Sequence, residues 1–177
     1  MAPVFHIRQA TPDDVATYEK EPESVKATPE LSPWNLPRLI KEQLRKNLFE
    51  TSFAHALLAF TGTVETPAEP IGLALYFFNF STWTGKPGLY LEDLYVKPEH
   101  RSLGVGKAFF GQLGKIAQEK RHKPVSSSDI LSFDPWQPQW NQPSIDFYEK
   151  RLGAKPMSEW MGMRLEGEGI KNLNQFL

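Results

Sequence analysis

The stretch that decides the fold is Tyr90–Lys107, which reads YLEDLYVKPEHRSLGVGK. It opens with an apolar, aromatic run, which predicts a strand over residues 89–96. A proline and a glycine-containing turn follow, and residues 104–120 then repeat apolar side chains at helical spacing. The buried stripe predicted for this helix consists of Val105, Ala108, Phe109, Leu113, Ile116 and Ala117. A strand, a glycine loop and a helix are thus expected in direct succession.

Two adjacent carboxylates, Glu92 and Asp93, interrupt the apolar strand. Neighbouring residues of a strand point to opposite faces, so both can face one pocket only if the strand contains a bulge. One interpretation is structural, with one carboxylate in solvent and the other capping a loop. The loop that follows changes this balance in favour of a functional role for the pair.

The loop after the strand has the pattern Arg101-x-x-Gly104-x-Gly106 and leads directly into the helix. Glycines let backbone N–H groups converge, and the N-terminus of a helix adds positive potential. Such a loop suits a diphosphate, with Arg101 as a charged partner. It is not a Walker A loop, because Ala108 follows Lys107, and it is not the dinucleotide-binding fingerprint, because position 109 is phenylalanine.

The rest of the chain alternates strands and helices. Upstream we expect a strand at Phe5–Arg8, a short helix with Thr11 at its N-cap, a helix from near Ser32–Asn35, and strands 55–60 and 71–80. Gly62 and Pro67–Pro70 mark the loop between those two strands. Downstream we expect strand 130–133, a helix at 144–151 that ends before Gly153, and strand 160–165. This order predicts one α/β domain over residues 1–177, with a mixed, mostly antiparallel central sheet flanked by helices.

The composition excludes several kinds of site. The chain has 177 residues and no cysteine, which excludes disulfides, thiolate zinc sites and a cysteine nucleophile. His6, His55, His100 and His122 lack metal-ligand spacing, so we expect no metal. A net charge of −1 gives no general attraction to nucleic acid or anionic membranes. The N-terminus lacks a secretory h-region and no apolar run approaches about 18 residues, so we expect a cytoplasmic protein, with entry into the nucleus left open.

A second informative block, Trp140–Arg151, reads WNQPSIDFYEKR. The Val96-x-Pro98 strand end and the Arg101-x-x-Gly104-x-Gly106 loop resemble the acetyl-CoA pyrophosphate loop of the GNAT N-acetyltransferase superfamily. YLEDLYV and the second block resemble, more narrowly, the spermidine/spermine and thialysine N-acetyltransferases. The resemblance runs from about Ile7 to the C-terminus. It implies acetyl-CoA as cosubstrate, a small-molecule amine as acceptor, and a homodimer.

The resemblance also implies roles for residues. Glu92 is implied to assist deprotonation of the attacking amine, and Tyr148 to protonate the leaving CoA thiolate; from its helix alone, Tyr148 is more simply a core tyrosine. A backbone N–H near Leu94 is implied to stabilise the oxyanion. The acceptor side is implied to include Glu92, Asp93, Glu19 and Trp83, although Trp83 is equally readable as a structural turn residue. The coenzyme is implied to contact Leu94, Tyr95, Val96, Arg101, Ser102, Leu103, Gly104, Val105, Gly106, Lys107, Asn141, Tyr148 and Arg151.

Three departures from that pattern bear on the acceptor. Ser81 stands where the polyamine enzymes carry an aspartate, the first helix is short, and Phe133–Trp140 is longer and rich in proline and tryptophan. The missing acid favours a compact amine over a long polyamine. Two alternatives stay open: an N-acetyltransferase acting on lysine or N-terminal amines of proteins or peptides, and a non-enzymatic acetyl-CoA-binding module. The presence of both Glu92 and Tyr148 argues against the latter.

Overall fold

The computed structural model of the chain describes residues 5–17, 38–82, 85–121, 131–133, 142–156 and 167–176. The chain divides into two compact units, Met1–Asp134 and Pro135–Leu177, and the prediction of one domain over residues 1–177 stays a prediction. The first unit contains β1 (Phe5–Gln9), α1 (Asp14–Thr17), α2 (Arg38–Arg45) with a π-helical turn (Lys46–Glu50), β2 (His55–Gly62), β3 (Pro67–Ser81), β4 (Lys86–Val96), a 3₁₀ turn (Pro98–His100), α3 (Val105–Arg121) and β5 (Leu131–Phe133). The second contains α4 (Gln142–Asp146) with a π-helical turn (Phe147–Arg151), and α5 (Glu168–Lys171) with a 3₁₀ segment (Asn172–Phe176).

The sheet has the order β1-β2-β3-β4-β5. The first four strands pair antiparallel, and β5 adds to β4 in parallel. The expected mixed, mostly antiparallel sheet with helices is therefore confirmed. None of the helices in the described ranges is long and apolar enough to span a membrane.

Two apolar clusters cover the two faces of the sheet. On one face α3 packs through Val105, Phe109 and Leu113 onto residues of β2, β3 and β4, with Ile116 and Ala117 beside them. The predicted stripe is confirmed except at Ala108, in whose place Phe110 packs against the cluster. On the other face Leu48, in the π-helical turn after α2, packs against a smaller cluster that includes Leu58 and Leu73. Alternate residues of β3 and β4 therefore belong to different faces, and this parity decides where the polar residues lie.

The start of α1 is fixed by a carboxylate. Asp14 is 6% exposed, and its Oδ2 accepts hydrogen bonds from the backbone N–H and Oγ1 of Thr11 at 2.6 and 2.8 Å. Arg8 donates to both oxygens of the same carboxylate, at 2.7 and 2.8 Å. These bonds join Thr11 to Asp14, the first residue of α1. Thr11 was expected as the N-cap, but it lies three residues before the helix and its hydroxyl donates to the carboxylate, whereas an N-cap side chain accepts from a backbone N–H.

The proline-rich stretch before Ile71 differs from its prediction. Pro67–Pro70 does not form a loop but is the first part of β3, opposite Phe60–Gly62. The pairing is irregular there, with register shifts on both sides of Phe60, so a residue without an N–H is accommodated. β4 likewise begins at Lys86 rather than Leu89.

Other predicted elements hold with small changes. α3 begins at Val105 and β5 at Leu131, each one residue later than expected. The helix over 144–151 begins at Gln142, changes to π geometry at Phe147, and is followed by Gly153 at φ +72°. The predicted strand 160–165 and the start near Ser32–Asn35 lie outside the described residues.

Candidate active site

A β-bulge lies at the two carboxylates of β4. Leu91 pairs with Tyr76 and Asp93 pairs with Leu75, so Glu92 is an extra residue opposite a continuous β3. Leu91 is buried in the α3-side cluster and Leu94 packs against it. The two residues between them, Glu92 and Asp93, are both exposed. The bulge supplies the condition that the sequence required for both carboxylates to lie on one face.

The register assigns further residues to that face. Tyr90 pairs with Phe77, and their rings stack with centroids 4.9 Å apart and planes 28° apart. On the far side of the bulge, Tyr95 pairs with Leu73, which belongs to the cluster on the face away from α3. On this face Glu92 and Asp93 are therefore the next residues of β4 after Tyr90, since the intervening Leu91 belongs to the α3-side cluster.

The described pairing of β4 with β5 runs from Leu89↔Leu131 to Leu91↔Phe133. β4 itself continues to Val96, so Leu94, Tyr95 and Val96 extend past the described length of its parallel neighbour. These three residues are among those that the sequence predicts to contact the coenzyme.

The glycine loop is fixed at its entry by two hydrogen bonds. The N–H of Lys97 donates to the carbonyl of Ile71 at 2.9 Å, and Nε of Arg101 donates back to the carbonyl of Val96 at 3.0 Å. Lys97 also forms an ion pair with Glu69. The sequence did not single out Glu69 or Lys97, and only the opposite charges at the ends of two expected strands hinted at their pairing.

The loop then turns sharply into α3. Ser102 and Gly104 have φ angles of +69° and +90°, and residues 101–104 are exposed. The N–H of Ala108 donates to the carbonyl of Gly104 at 3.0 Å. The N–H groups of Val105, Gly106 and Lys107 precede that bond, at the end of the helix where backbone donors have no partner within the helix. Backbone donors at the start of a 17-residue helix, with the exposed cation Arg101 in the loop before it, suit an anion.

Tyr148 lies in the second unit, in the π-helical turn after α4, and is buried. Burial raises the pKa of its phenol above the ordinary value, so the hydroxyl stays protonated at neutral pH. Its ring meets that of Phe147 edge-on, with centroids 5.7 Å apart, and its carbonyl accepts a hydrogen bond from Ala154 at 3.0 Å. π-Helical turns often occur at functional positions, and Tyr148 is the buried residue of this one.

Other predicted residues are less constrained or lie outside the described ranges. Arg151 is exposed, and Lys150 forms an ion pair with Asp146 at 2.8 Å. The positions predicted for Glu19, Trp83 and Asn141 lie outside the described residues.

Comparison with known proteins identifies the class. Residues 20–154 match the Acetyltransferase (GNAT) family. Thialysine N-epsilon-acetyltransferase of Sus scrofa is 34% identical over 169 residues, which cover 90% of this chain and 85% of that protein. Spermidine/spermine N(1)-acetyltransferase-like protein 1 of Homo sapiens is 31% identical over 124 residues, 69% of this chain and 16% of that protein. An aminoglycoside N-acetyltransferase solved in complex with CoA shares the fold, with a TM-score of 0.65 at 16% identity over 94% of this chain and 98% of that one.

The chain therefore belongs to the GNAT family of acetyltransferases. It is an N-acetyltransferase, and acetyl-CoA is its cosubstrate. The exposed loop at the start of α3 fits the diphosphate of that cosubstrate, because a Cβ built on Gly104 would meet no atom within 4 Å. Space for a ligand is thus present beside the backbone donors.

Proposed function

We propose that this enzyme transfers acetyl to a compact primary amine, of the lysine or thialysine kind. The observation that carries the proposal is the bulge at Glu92, with which two neighbouring carboxylates turn away from the α3-side core together. Two carboxylates on one face attract an ammonium ion and can accept its proton. The name of the thialysine acetyltransferase of Sus scrofa supports the same class of acceptor.

The chemistry divides among named groups. Glu92, directly or through water, accepts a proton from the ammonium, since a protonated amine cannot attack a thioester. The free amine nitrogen then bonds to the thioester carbon, and a backbone N–H near Leu94 stabilises the oxyanion. The C–S bond breaks, and the phenol of Tyr148 donates its proton to the departing thiolate. As the amide forms, the nitrogen loses its second proton to water, and Glu92 releases the proton it accepted to solvent. The products are the acetylated amine and CoA, and the phenolate regains a proton from solvent.

The aromatic pair next to the carboxylates suits the carbon chain of the acceptor. Tyr90 and Phe77 are half-buried and stack on the same face, with Tyr90 two residues before Glu92. An aromatic surface of this kind contacts methylene groups, and it also attracts a second cation through its π face. A short amino-acid side chain or diamine would meet both features within one strand length.

Two other properties are part of the proposal. The resemblance to polyamine and thialysine acetyltransferases favours a homodimer, and the chain's composition favours the cytoplasm. The second candidate function is acetylation of protein or peptide amines. It requires that the amine of an extended acceptor peptide reach the same two carboxylates.

The test is turnover of acetyl-CoA, followed as free CoA thiol, with thialysine, lysine, a short diamine, spermidine, spermine and a lysine-containing peptide. We expect the highest kcat/KM for one of the first three. A higher value for the peptide supports the second candidate and contradicts this one. Calorimetric binding of acetyl-CoA without turnover of any acceptor would contradict both and indicate a non-enzymatic binding module.

A further inference from the structure

We propose that Gly72 of β3 is a positioning residue for the coenzyme loop, although it contacts neither substrate. Its lack of a side chain lets the ring of Phe109 rest directly on the strand, which sets the position of the first turns of α3. The inference rests on placing the coenzyme diphosphate at residues 101–107, and the experiment below tests that placement separately.

The contact is close. A Cβ added to Gly72 would lie 3.0 Å from Cε2 and 3.4 Å from Cζ of Phe109, and 3.0 Å from the carbonyl oxygen of Tyr95. Phe109 is fully buried, so its ring has little freedom to move aside. A side chain here would therefore have to push its neighbours aside by a few tenths of an ångström.

Both ends of the coenzyme loop are tied to the same place on β3. At the entry, Val96 pairs with Gly72, and the N–H of Lys97 donates to the carbonyl of Ile71 at 2.9 Å. At the exit, Phe109 lies in α3 about one turn after Val105, the first residue of the helix. The residues that flank the loop on both sides thus contact β3 at the same place, Ile71 and Gly72.

The loop's donors depend on this arrangement. The N–H groups of Val105, Gly106 and Lys107 can bind a diphosphate together only if the helix start keeps its position relative to Val96 and Arg101. A side chain at Gly72 would press on α3 through Phe109 and on the entry strand through Tyr95. Small displacements of binding groups weaken charge-assisted hydrogen bonds steeply, because these bonds depend on distance and angle.

The experiment compares Gly72→Ala with Gly111→Ala, which adds the same methyl group to α3 at a position where it meets nothing within 4 Å. Affinity for CoA and acetyl-CoA is measured by calorimetry, and kcat and both KM values by turnover. We expect Gly72→Ala to weaken coenzyme binding on the order of 10-fold, as misplacement of binding groups does. The KM for the amine should change little, and Gly111→Ala should bind the coenzyme like the wild type.

A second pair of variants separates positioning from general damage. Phe109→Leu removes the ring atoms nearest Gly72, and as a single change it should weaken coenzyme binding. The double variant Gly72→Ala/Phe109→Leu should lose less binding free energy than the sum of the losses in the two single variants. If Gly72→Ala lowers the melting temperature but leaves coenzyme affinity unchanged, the positioning role is wrong. If Gly106→Glu also leaves that affinity unchanged, the placement of the diphosphate is wrong instead.

Discussion

Glu92 and Asp93 are neighbours in a strand, yet both side chains turn away from the α3-side core, because Glu92 is the extra residue of a β-bulge. An unbroken strand would send one of them under α3. Burial of a carboxylate there would be costly without a partner. The bulge therefore serves two ends: it keeps the core apolar and it concentrates negative charge at one place on the opposite face.

Replacement of Glu92 by glutamine removes the proton acceptor while keeping the size of the side chain. We expect Glu92→Gln to lower kcat/KM for the amine by roughly 10²–10⁴-fold, the usual contribution of a general base. Raising the pH should recover part of the loss, because more amine is then already deprotonated. The control is Glu119→Gln, an exposed glutamate of α3. Equal rates for wild type and Glu92→Gln at neutral pH would exclude this role.

Tyr148→Phe tests the general acid. The change keeps the buried ring and removes the hydroxyl, so we expect kcat to fall roughly 10²–10⁴-fold with a small change in melting temperature. Tyr148→Leu, which also loses the ring, should in addition unfold at a lower temperature. A Tyr148→Phe variant with the kcat of the wild type would show that the residue only packs.

The pH dependence of the wild type follows from the burial of the same residue. Burial raises the pKa of Tyr148, so the protonated phenol persists beyond the pH at which an exposed tyrosine ionises. The alkaline limb of kcat that belongs to this group should therefore begin at a higher pH than the ionisation of an exposed tyrosine would produce. The pKa of Tyr148 is higher in the folded protein than in the unfolded chain. The stability gained from burying the neutral phenol is therefore present below the pKa of the unfolded chain and is lost as the pH rises through the pKa of the folded protein.

Asp14 governs the stability of the protein in acid through the hydrogen bonds that it accepts from Arg8 and Thr11. Burial alone would raise its pKa, but hydrogen bonds from Arg8 and Thr11 outweigh burial, and the pKa of Asp14 is lowered. The stability that the Asp14 carboxylate contributes is therefore present above its pKa in the unfolded chain. This stability is lost as the pH falls through its pKa in the folded protein. We expect Asp14→Asn to destabilise the protein by about 2 kcal/mol at neutral pH.

Thermal unfolding between about pH 7 and 3 checks this expectation, since the difference from wild type should shrink in acid. Asp13→Asn is the matched control, because Asp13 is exposed and adjacent in the chain. A difference that stayed constant with pH would mean that Asp14 acts through packing rather than through its charge.

The sequence predicted the elements that depend on local periodicity. The stripe of α3 and the alternation in β1 follow from side-chain spacing, and β4 follows from its apolar, aromatic run; the structure has these elements within a few residues of the expected ends. The bulge could only be stated as a condition, because its position depends on how β4 aligns with Leu75 and Tyr76 of another strand. Gly72 carried a weak signal, an isolated glycine in an apolar strand, but its reason lies in Phe109, distant in sequence.

The start of β3 was predicted wrongly for a related reason. Pro67–Pro70 is typical of a loop when it is considered alone, and it forms a strand because irregular pairing opposite Phe60 accepts residues that lack an N–H donor. The π-helical turn at Tyr148 was also beyond the sequence, which shows an ordinary helical pattern there. Local patterns thus located the site's segments, whereas the direction of its side chains depends on long-range pairing.

The choice between a compact amine and a polyamine depends on Ser81. It lies four residues after Phe77 on β3, and the pairing with β4 is regular between these two residues. Because side chains alternate along a strand, Ser81 and Phe77 belong to the same face, which is the face of Glu92 and Asp93. At about 3.3 Å per residue, Ser81 lies roughly 13 Å along the strand from Phe77. A carboxylate at that distance could hold a remote ammonium of a long polyamine but is too far to contact a compact amine bound at Glu92.

We therefore expect Ser81→Asp to raise kcat/KM for spermidine and spermine several-fold and to leave the value for lysine or thialysine nearly unchanged. The gain should shrink in high salt, because an exposed charge pair is screened. Ser81→Asn, of the same shape without the charge, is the control and should give no gain. Competition between spermine and thialysine in one reaction provides the measurement. If the wild type already prefers spermine, the acids near Glu92 suffice for polyamines and the compact-amine proposal is wrong. If Ser81→Asp raises kcat/KM for both kinds of acceptor equally, the residue acts on the fold of the hairpin rather than on a second ammonium.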